Sequence, residues 1–364
     1  MWRVLVALLI AGAILRAAPA AAACLTLGAD ERLTTRCLFD RFLRASPREQ
    51  AAIDPILQRI FARQGRTPGA VGRGTLEPFV QPLLTWSYNI NGGNPDRVLD
   101  LGLPFRPDPP YRAAGLLAGV RAGATGRYVY RRGGYLDFTG HGSAEYAPRY
   151  DIGVLGYFAR ACAHNESGLA WTLDACLTMT EINRDLSRDQ VAQAELVLGR
   201  MFGLGGGHHL RLFAGARNVS VDATSELSSA PDRPFGQLQY FAGFQAISDR
   251  YPFVAIEAGM NEPVKDRTVP LHSLTATVSD RVMGRPFAVT ARYGYAAGET
   301  LTVFDPAQGF VPRERRDREL RIVMSYNVWR SWYVQLGFRD VDSNFDFFDE
   351  AQPIVGLSIP TIRF

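Results

Sequence analysis

The stretch Pro353-Ile354-Val355-Gly356-Leu357-Ser358-Ile359-Pro360-Thr361-Ile362-Arg363-Phe364 closes the chain on an aromatic residue. It is an apolar run with alternating character, and its reading decides the fold. Working back from it, segments of roughly ten residues alternate apolar with polar or small side chains, separated by turn residues, which is the pattern of a transmembrane β-barrel. Phe364 is expected to act as the C-terminal assembly signal, with the barrel assembly machinery as its partner.

Successive strand side chains point to opposite faces, so parity sorts environment. Trp332, Val334, Leu336 and Phe338 oppose Tyr333, Gln335, Gly337 and Arg339. In the segment before it, Leu320, Ile322, Met324, Tyr326 and Val328 oppose Glu319, Arg321, Val323, Ser325 and Asn327, with Val323 the misfit. Phe287, Val289, Ala291, Tyr293 and Tyr295 oppose Ala288, Thr290, Arg292, Gly294 and Ala296. A soluble β-sandwich alternates in the same way. Strand length, the aromatics gathered at strand ends (Trp329, Trp332, Tyr128, Tyr130) and an export signal favour outer-membrane lipid on the apolar side.

The signal spans residues 1–23: Arg3, an apolar run from Val4 to Leu15, and Ala21-Ala22-Ala23 before Cys24. Beyond it no run of about 18 apolar residues occurs, which excludes a helical membrane protein but not a barrel. The chain has 364 residues, 47% of them hydrophobic, and a net charge of +4; Lys265 is the only lysine and no basic stripe forms, so no nucleic-acid role is expected. An exported chain with four cysteines points to disulfides. Local pairing, Cys24 with Cys37 and Cys162 with Cys176, is one of three connectivities and would close loops worth about 3 kcal/mol each. Lipidation of Cys24 is the competing use.

Residues 24–78 read as a periplasmic helical segment and linker. Asp30 to Ala45 carries Leu33, Cys37, Leu38, Phe42 and Leu43 on one side; Ser46-Pro47-Arg48-Glu49 has the capping-box form and starts a second helix with Ile53, Ile56, Leu57, Ile60 and Phe61. Pro55 is a possible kink, and Gly65 to Gly74 a glycine-rich linker. A plug or packing element is the expected role.

Residues 79–364 are expected to form an all-β, antiparallel transmembrane barrel of about 14 strands. These lie near Phe79–Ile90, Ala113–Arg127, Tyr135–Tyr146, Ile152–Ala161, Leu169–Thr180, Gln190–Phe202, His209–Ser220, Gly236–Ile247, Pro252–Met260, Leu271–Ser279, Pro286–Tyr295, Glu319–Val328, Trp332–Val341 and Ile354–Phe364. Even-numbered connections are short. The first, seventh, ninth, eleventh (Ala296 to Arg318) and thirteenth (Asp342 to Pro353) are long, as when both termini lie in the periplasm. The fourth is the least defined.

In Tyr88-Asn89-Ile90-Asn91-Gly92-Gly93-Asn94 the first strand runs into residues that tolerate positive φ, so one reading is a long loop's opening turn. After Pro82-Leu83-Leu84-Thr85-Trp86, this run also resembles the start of the C-terminal barrel of the surface lipoprotein assembly modifiers, the Slam family. Asn89-Ile90-Asn91 matches the family's Asn-x-Asn element. The resemblance covers Phe79 to Phe364 and implies a fourteen-stranded barrel that assists export of a protein or lipoprotein client to the cell surface, with Asn89, Asn91, Gly92 and Gly93 as its opening motif. The family's periplasmic helical repeats are missing, since Cys24 to Gly74 has room for about one.

The rival on the same wall is a passive outer-membrane channel for small solutes. The polar parity places Arg211, Arg217, Arg292, Arg321 and Arg339 in the lumen beside Asp174, Glu195 and Glu319. Two further readings are weaker. Asp342-x-Asn344-x-Asp346 is spaced like early calcium ligands, but Phe347 and Pro353 stand where Gly and Glu are required, leaving no metal site. His141, His208, His209 and His272 could serve a hydrolase but have no partner array, so neither catalysis nor a cofactor is expected. Arg313, Arg315, Arg316 and Arg318 are taken as loop residues that meet anionic lipid or pair with Glu314 and Asp317.

Overall fold

The computed structural model describes residues 24–25, 28–93, 98–101, 104–107, 109–167, 170–225, 234–329, 332–358 and 362–363. The expected leader, residues 1–23, and Phe364 lie outside them. Two helices precede the strands: α1 (Glu31–Arg44) and α2 (Pro47–Arg63). The strands are β1 (Gly74–Ser87), β2 (Gly115–Arg131), β3 (Gly134–Ala147), β4 (Ile152–Glu166), β5 (Trp171–Asn183), β6 (Ser187–Gly205) and β7 (His208–Ser225). They continue as β8 (Phe235–Ser248), β9 (Phe253–Asn261), β10 (Val269–Val282), β11 (Arg285–Asp305), β12 (Gly309–Trp329), β13 (Trp332–Ser343) and β14 (Glu350–Ser358), the last resumed at Ile362–Arg363.

Each strand pairs antiparallel with the next, and the sheet closes on itself. Leu83, Leu84 and Thr85 of β1 pair with Ser358, Leu357 and Gly356 of β14, and Phe79 and Val80 with Arg363 and Ile362. The closing segment does as its alternation implies, and closure removes the free edges. All fourteen expected strands are present, and Leu136, Leu155, Leu177, Leu196, Leu212, Leu274, Leu336 and Val355 are exposed on the outward parity. Buried arginines and aspartates face inward (Arg127, Asp174, Arg211). This inverts a soluble protein and is the wall of an outer-membrane barrel. Among the described residues no helix is long and apolar enough to cross a membrane.

Even connections are tight, as at Met283-Gly284, where both residues take positive φ (53° and 73°) as a type I′ hairpin needs. The fourth, between Glu166 and Trp171, is short too. The eleventh corrects the expectation of a long loop. β11 and β12 run on as a ribbon from Thr300–Glu314 to Asp305–Gly309, beyond the last partners in β10 (Val269–Ala297) and β13 (Asp317–Ser343). Those pairs add roughly 20 Å of height. A two-stranded ribbon with solvent on both faces has no reason to alternate apolar and polar, which is why the arginines there look like loop. They are strand residues: Arg315 pairs with Asp317 and Glu299, and Arg316 with Glu314. Pro312 interrupts one edge, and on the other Phe304 N donates to Leu101 O at 2.5 Å.

The helical unit is local in origin. Asp30 caps α1, its Oδ1 accepting from Arg32 N at 2.8 Å. Ser46 and Glu49 form the capping box, and α2 continues through Pro55. Leu33, Cys37 and Leu38 of α1 pack with Ile53 and Leu57 of α2. Leu43 does not join them and is exposed, whereas Arg32 and Arg41 are buried. Arg32 is buried because α1 turns part of its polar side to a charged wall, whereas Arg41 pairs with Glu49 of α2. Cys24 is disulfide-bonded to Cys37, and Cys162 to Cys176, so the local pairing holds and Cys24 has no free thiol for lipidation.

Candidate functional site: the occupied lumen

The helical unit docks into the end of the barrel that carries the tight turns. Its apolar side meets Met201 of β6, Ile247 of β8 and Phe253 of β9, with Phe253 fully buried. Its polar side meets a belt of lumenal charges on β2 to β7. Arg32, 2% exposed, reaches Asp174 of β5 with both terminal nitrogens, at 2.9 and 2.7 Å. Arg211 of β7 reaches Asp174 at 2.9 Å and Asp30 at 3.2 Å, so two arginines and two aspartates form a closed square. Glu31 accepts from Arg127 of β2 at 2.8 Å, and Arg127 is held by Asp137 of β3. His164 Nδ1 lies 2.8 Å from Asp174. Around the rim, Glu166 takes Arg36 and Arg66, Asp249 takes Arg44, and His209 faces Asp40.

Burial alone raises the Asp30 carboxyl, but Arg32 and Arg211 outweigh it and hold the group well below the usual carboxylate range. A downward shift gives stabilisation that is complete above the unfolded-state pKa and is lost only as pH falls through the folded value. The Asp30 anchor therefore stays ionised through mildly acidic conditions.

These contacts fall on one sector of the wall. Among the described residues, the hydrogen bonds, ion pairs and core contacts of α1 and α2 land on β2 to β9, and none reaches β10 to β14. On that free sector Arg292 of β11, Arg321 of β12 and Arg339 of β13 stand abreast, each the register partner of the next. Arg339 is neutralised by Glu319 and Glu350, at 3.2 and 2.9 Å. Arg292 and Arg321 extend exposed into the lumen and form no close ion pair among the described residues, although Arg292 stands near enough to Glu257 to attract it. A cavity of about 240 Å³ opens beside Arg292, Arg339 and Glu319. Of the five arginines expected in the lumen, Arg211 is a plug anchor, Arg217 pairs with Glu195 and Glu257, Arg339 with Glu319 and Glu350, and Arg292 and Arg321 form no ion pair among the described residues.

The opening motif has a structural task at the other end of the barrel. Asn91 Oδ1 accepts from Ala113 N at 2.9 Å and from Gly93 N at 3.2 Å, its Nδ2 donates to Tyr111 O, and its carbonyl accepts from Leu186 N. Asn89 and Gly93 bond to each other twice, Gly92 takes φ +77° beside Ser187, and Ile90 is fully buried among Leu117, Ala147 and Val154. The motif stitches the first connection to β2 and to the β5–β6 turn. Of the remaining candidates, Asn344 accepts from Arg316 N and donates to Glu314 O, and Asp349 accepts from Ser343 N, so Asn344 is spent on the backbone of β12 and Asp349 on that of its own turn. His208 and His272 stack on Tyr251 and Tyr295.

Sequence reasoning missed Asp30, Arg32, Arg127, Asp137 and His164 as one network. Lumenal parity marks the strand residues, but nothing in a local pattern says that α1 meets them.

No protein-family model matches this sequence, and neither does any curated protein. Solved structures similar to it include a BenF-like porin from Pseudomonas fluorescens Pf-5, at 9% identity, covering 81% of this chain and 100% of that one, with a TM-score of 0.40. OccAB1 of Acinetobacter baumannii is 8% identical and covers 83% and 99%, with a TM-score of 0.38. The β domain of the Bordetella autotransporter BrkA is 9% identical and covers 79% and 98%, with a TM-score of 0.32.

Proposed function

We propose that this outer-membrane barrel is a channel for small solutes, partly filled from the periplasmic end by its own helical unit, with a passage along β10 to β14 that favours anions. The observation that carries this reading is the one-sided docking of the plug, which leaves the unpaired Arg292 and Arg321 on the uncovered sector. Unpaired cations in a narrow lumen attract anions and repel cations, and ion selectivity follows lining charge. Arg292→Gln with Arg321→Gln should move the reversal potential of purified protein in a planar bilayer toward cation preference, with conductance of the same order. An unchanged reversal potential would remove Arg292 and Arg321 from the pathway.

A second reading is export of a protein or lipoprotein client in the manner of the Slam family. It draws support from the plug being tied to the wall by charges and joined to β1 through glycines at positive φ (Gly65, Gly69 and Gly72), as a gate for a large client requires. Deleting the gene separates the two: loss of one surface-displayed lipoprotein supports export, whereas slowed uptake of small anions with display intact supports the channel.

A further inference from the structure

A second cavity, of about 290 Å³, opens on the covered side of the lumen, farther toward the long-loop end than the plug's charge belt. Its wall is β1 to β5, and Arg121, Glu145, His141, Ser143, Thr85 and Phe158 line it. Register explains the grouping. Arg121 pairs with Ser143, two residues before Glu145 on β3, which places Arg121 and Glu145 on a diagonal of one face, about 7–8 Å apart between Cα atoms. The next lumenal row holds Gly123, His141 and Phe158, and the His141 ring stacks on Phe158 with centroids 4.9 Å apart, giving the cavity a flat floor. Gly156 keeps the space open, because a Cβ there would stand 2.6 Å from Ser143 Oγ.

The charges are unusual for so polar a lumen. Nearly every other lumenal carboxylate on β2 to β9 has an arginine: Asp137 has Arg127, Asp174 has Arg32 and Arg211, and Glu195 has Arg217. Glu145 instead accepts only a hydroxyl, from Thr85 Oγ1 at 2.7 Å, and Arg121 has no carboxylate partner among the described residues. Arg121 Nε and His141 Nδ1 are buried without hydrogen-bond partners. Arg184 and Glu181 also line the cavity, but Arg184 is paired with Asp189 and Glu181 with Arg188, so among the described residues the cation and anion that face it without an ion-pair partner are Arg121 and Glu145, close enough to share a small molecule. A simple anion would satisfy Arg121 and be repelled by Glu145, and a simple cation the reverse. A molecule carrying both charges satisfies both.

We propose that this cavity binds a small zwitterion, an amino acid or a similar ammonium carboxylate. Its carboxylate meets Arg121, its ammonium meets Glu145, and its carbon chain lies on the His141–Phe158 floor. The inference rests on the reading that the lumen admits small solutes. It concerns a different sector from the Arg292–Arg321 passage.

The test is isothermal titration of the full-length, detergent-solubilised protein with glycine, β-alanine and 4-aminobutyrate, whose charges are progressively farther apart, against propionate and propylamine, which carry one charge each. At least one zwitterion should bind about tenfold or more tightly than either singly charged probe, and Arg121→Gln and Glu145→Gln should each weaken it by about tenfold or more. Should either single variant fail to assemble, as judged by heat-modifiable migration, the swapped protein R121E/E145R carries the test and should keep zwitterion binding, because both charges remain in the cavity. Equal affinity for propionate, no binding of any zwitterion, or undiminished binding in the folded single variants would overturn the proposal. Bilayer conductance recorded on the same preparation keeps the two readings apart: zwitterion binding without conductance leaves the site standing and removes the channel.

Discussion

Arg32→Ala should free the plug and raise the single-channel conductance of the barrel. Arg32 is buried between Asp30 and Asp174, and removing it leaves two aspartates with Arg211 as their shared arginine in a closed space. Removing one partner of a buried pair costs about 3–5 kcal/mol, because the remaining charge stays desolvated and uncompensated. That penalty falls on docking and not on the barrel, whose hydrogen-bonded ladder does not involve α1. Wild-type protein should therefore conduct in small, steady steps, and Arg32→Ala in larger or flickering ones, with the linker between Gly65 and Gly74 cut faster by added protease. Arg48→Ala, at an exposed position on α2, should leave both readouts unchanged. Equal conductance and equal cleavage in Arg32→Ala and wild type would mean that the apolar contacts with Met201, Ile247 and Phe253 hold the plug without the charge square.

Leu336→Arg should sharply reduce assembled barrel, while Gln335→Arg should be tolerated. Leu336 is 43% exposed on the outward face of β13 and stands beside Met324 and Val355, both apolar, so an arginine there enters lipid. Near the bilayer midplane that costs about 2–4 kcal/mol. Gln335 is one residue away on the opposite face, beside Ser325 and Gly356, where water and other polar groups solvate a new charge. The amount of heat-modifiable protein in outer-membrane fractions measures the difference. Similar assembly of the two variants would deny that lipid covers the Leu336 face.

Much of the barrel was legible along the chain, because a strand in a two-sided wall must alternate and the alternation needs no distant information. Trp332 to Arg339 declares its two faces unaided, as does Phe287 to Ala296, and β13 and β11 follow that division. The caps of α1 and α2 are equally local, resting on Asp30 and on Ser46 with Glu49. The eleventh connection was not legible. With solvent on both sides of the ribbon, no pressure separates apolar from polar, and Arg313, Arg315 and Arg316 look the same in a loop as in a strand.

The order of strands and the lumenal parity of Arg211, Arg217, Arg292, Arg321 and Arg339 were determined by the sequence by itself, whereas the pairing of the four cysteines stayed one of three until the fold brought Cys24 to Cys37 and Cys162 to Cys176. Which of those arginines is spent and which is free was decided only by the tertiary structure. Arg32 and Asp174 are 142 residues apart, and an ion pair at that separation leaves no periodic trace: it exists because closure of the sheet and docking of α1 bring the two groups to one point. The same holds for Arg121 and Glu145, whose failure to pair is visible only once the neighbouring lumenal carboxylates have been assigned their arginines.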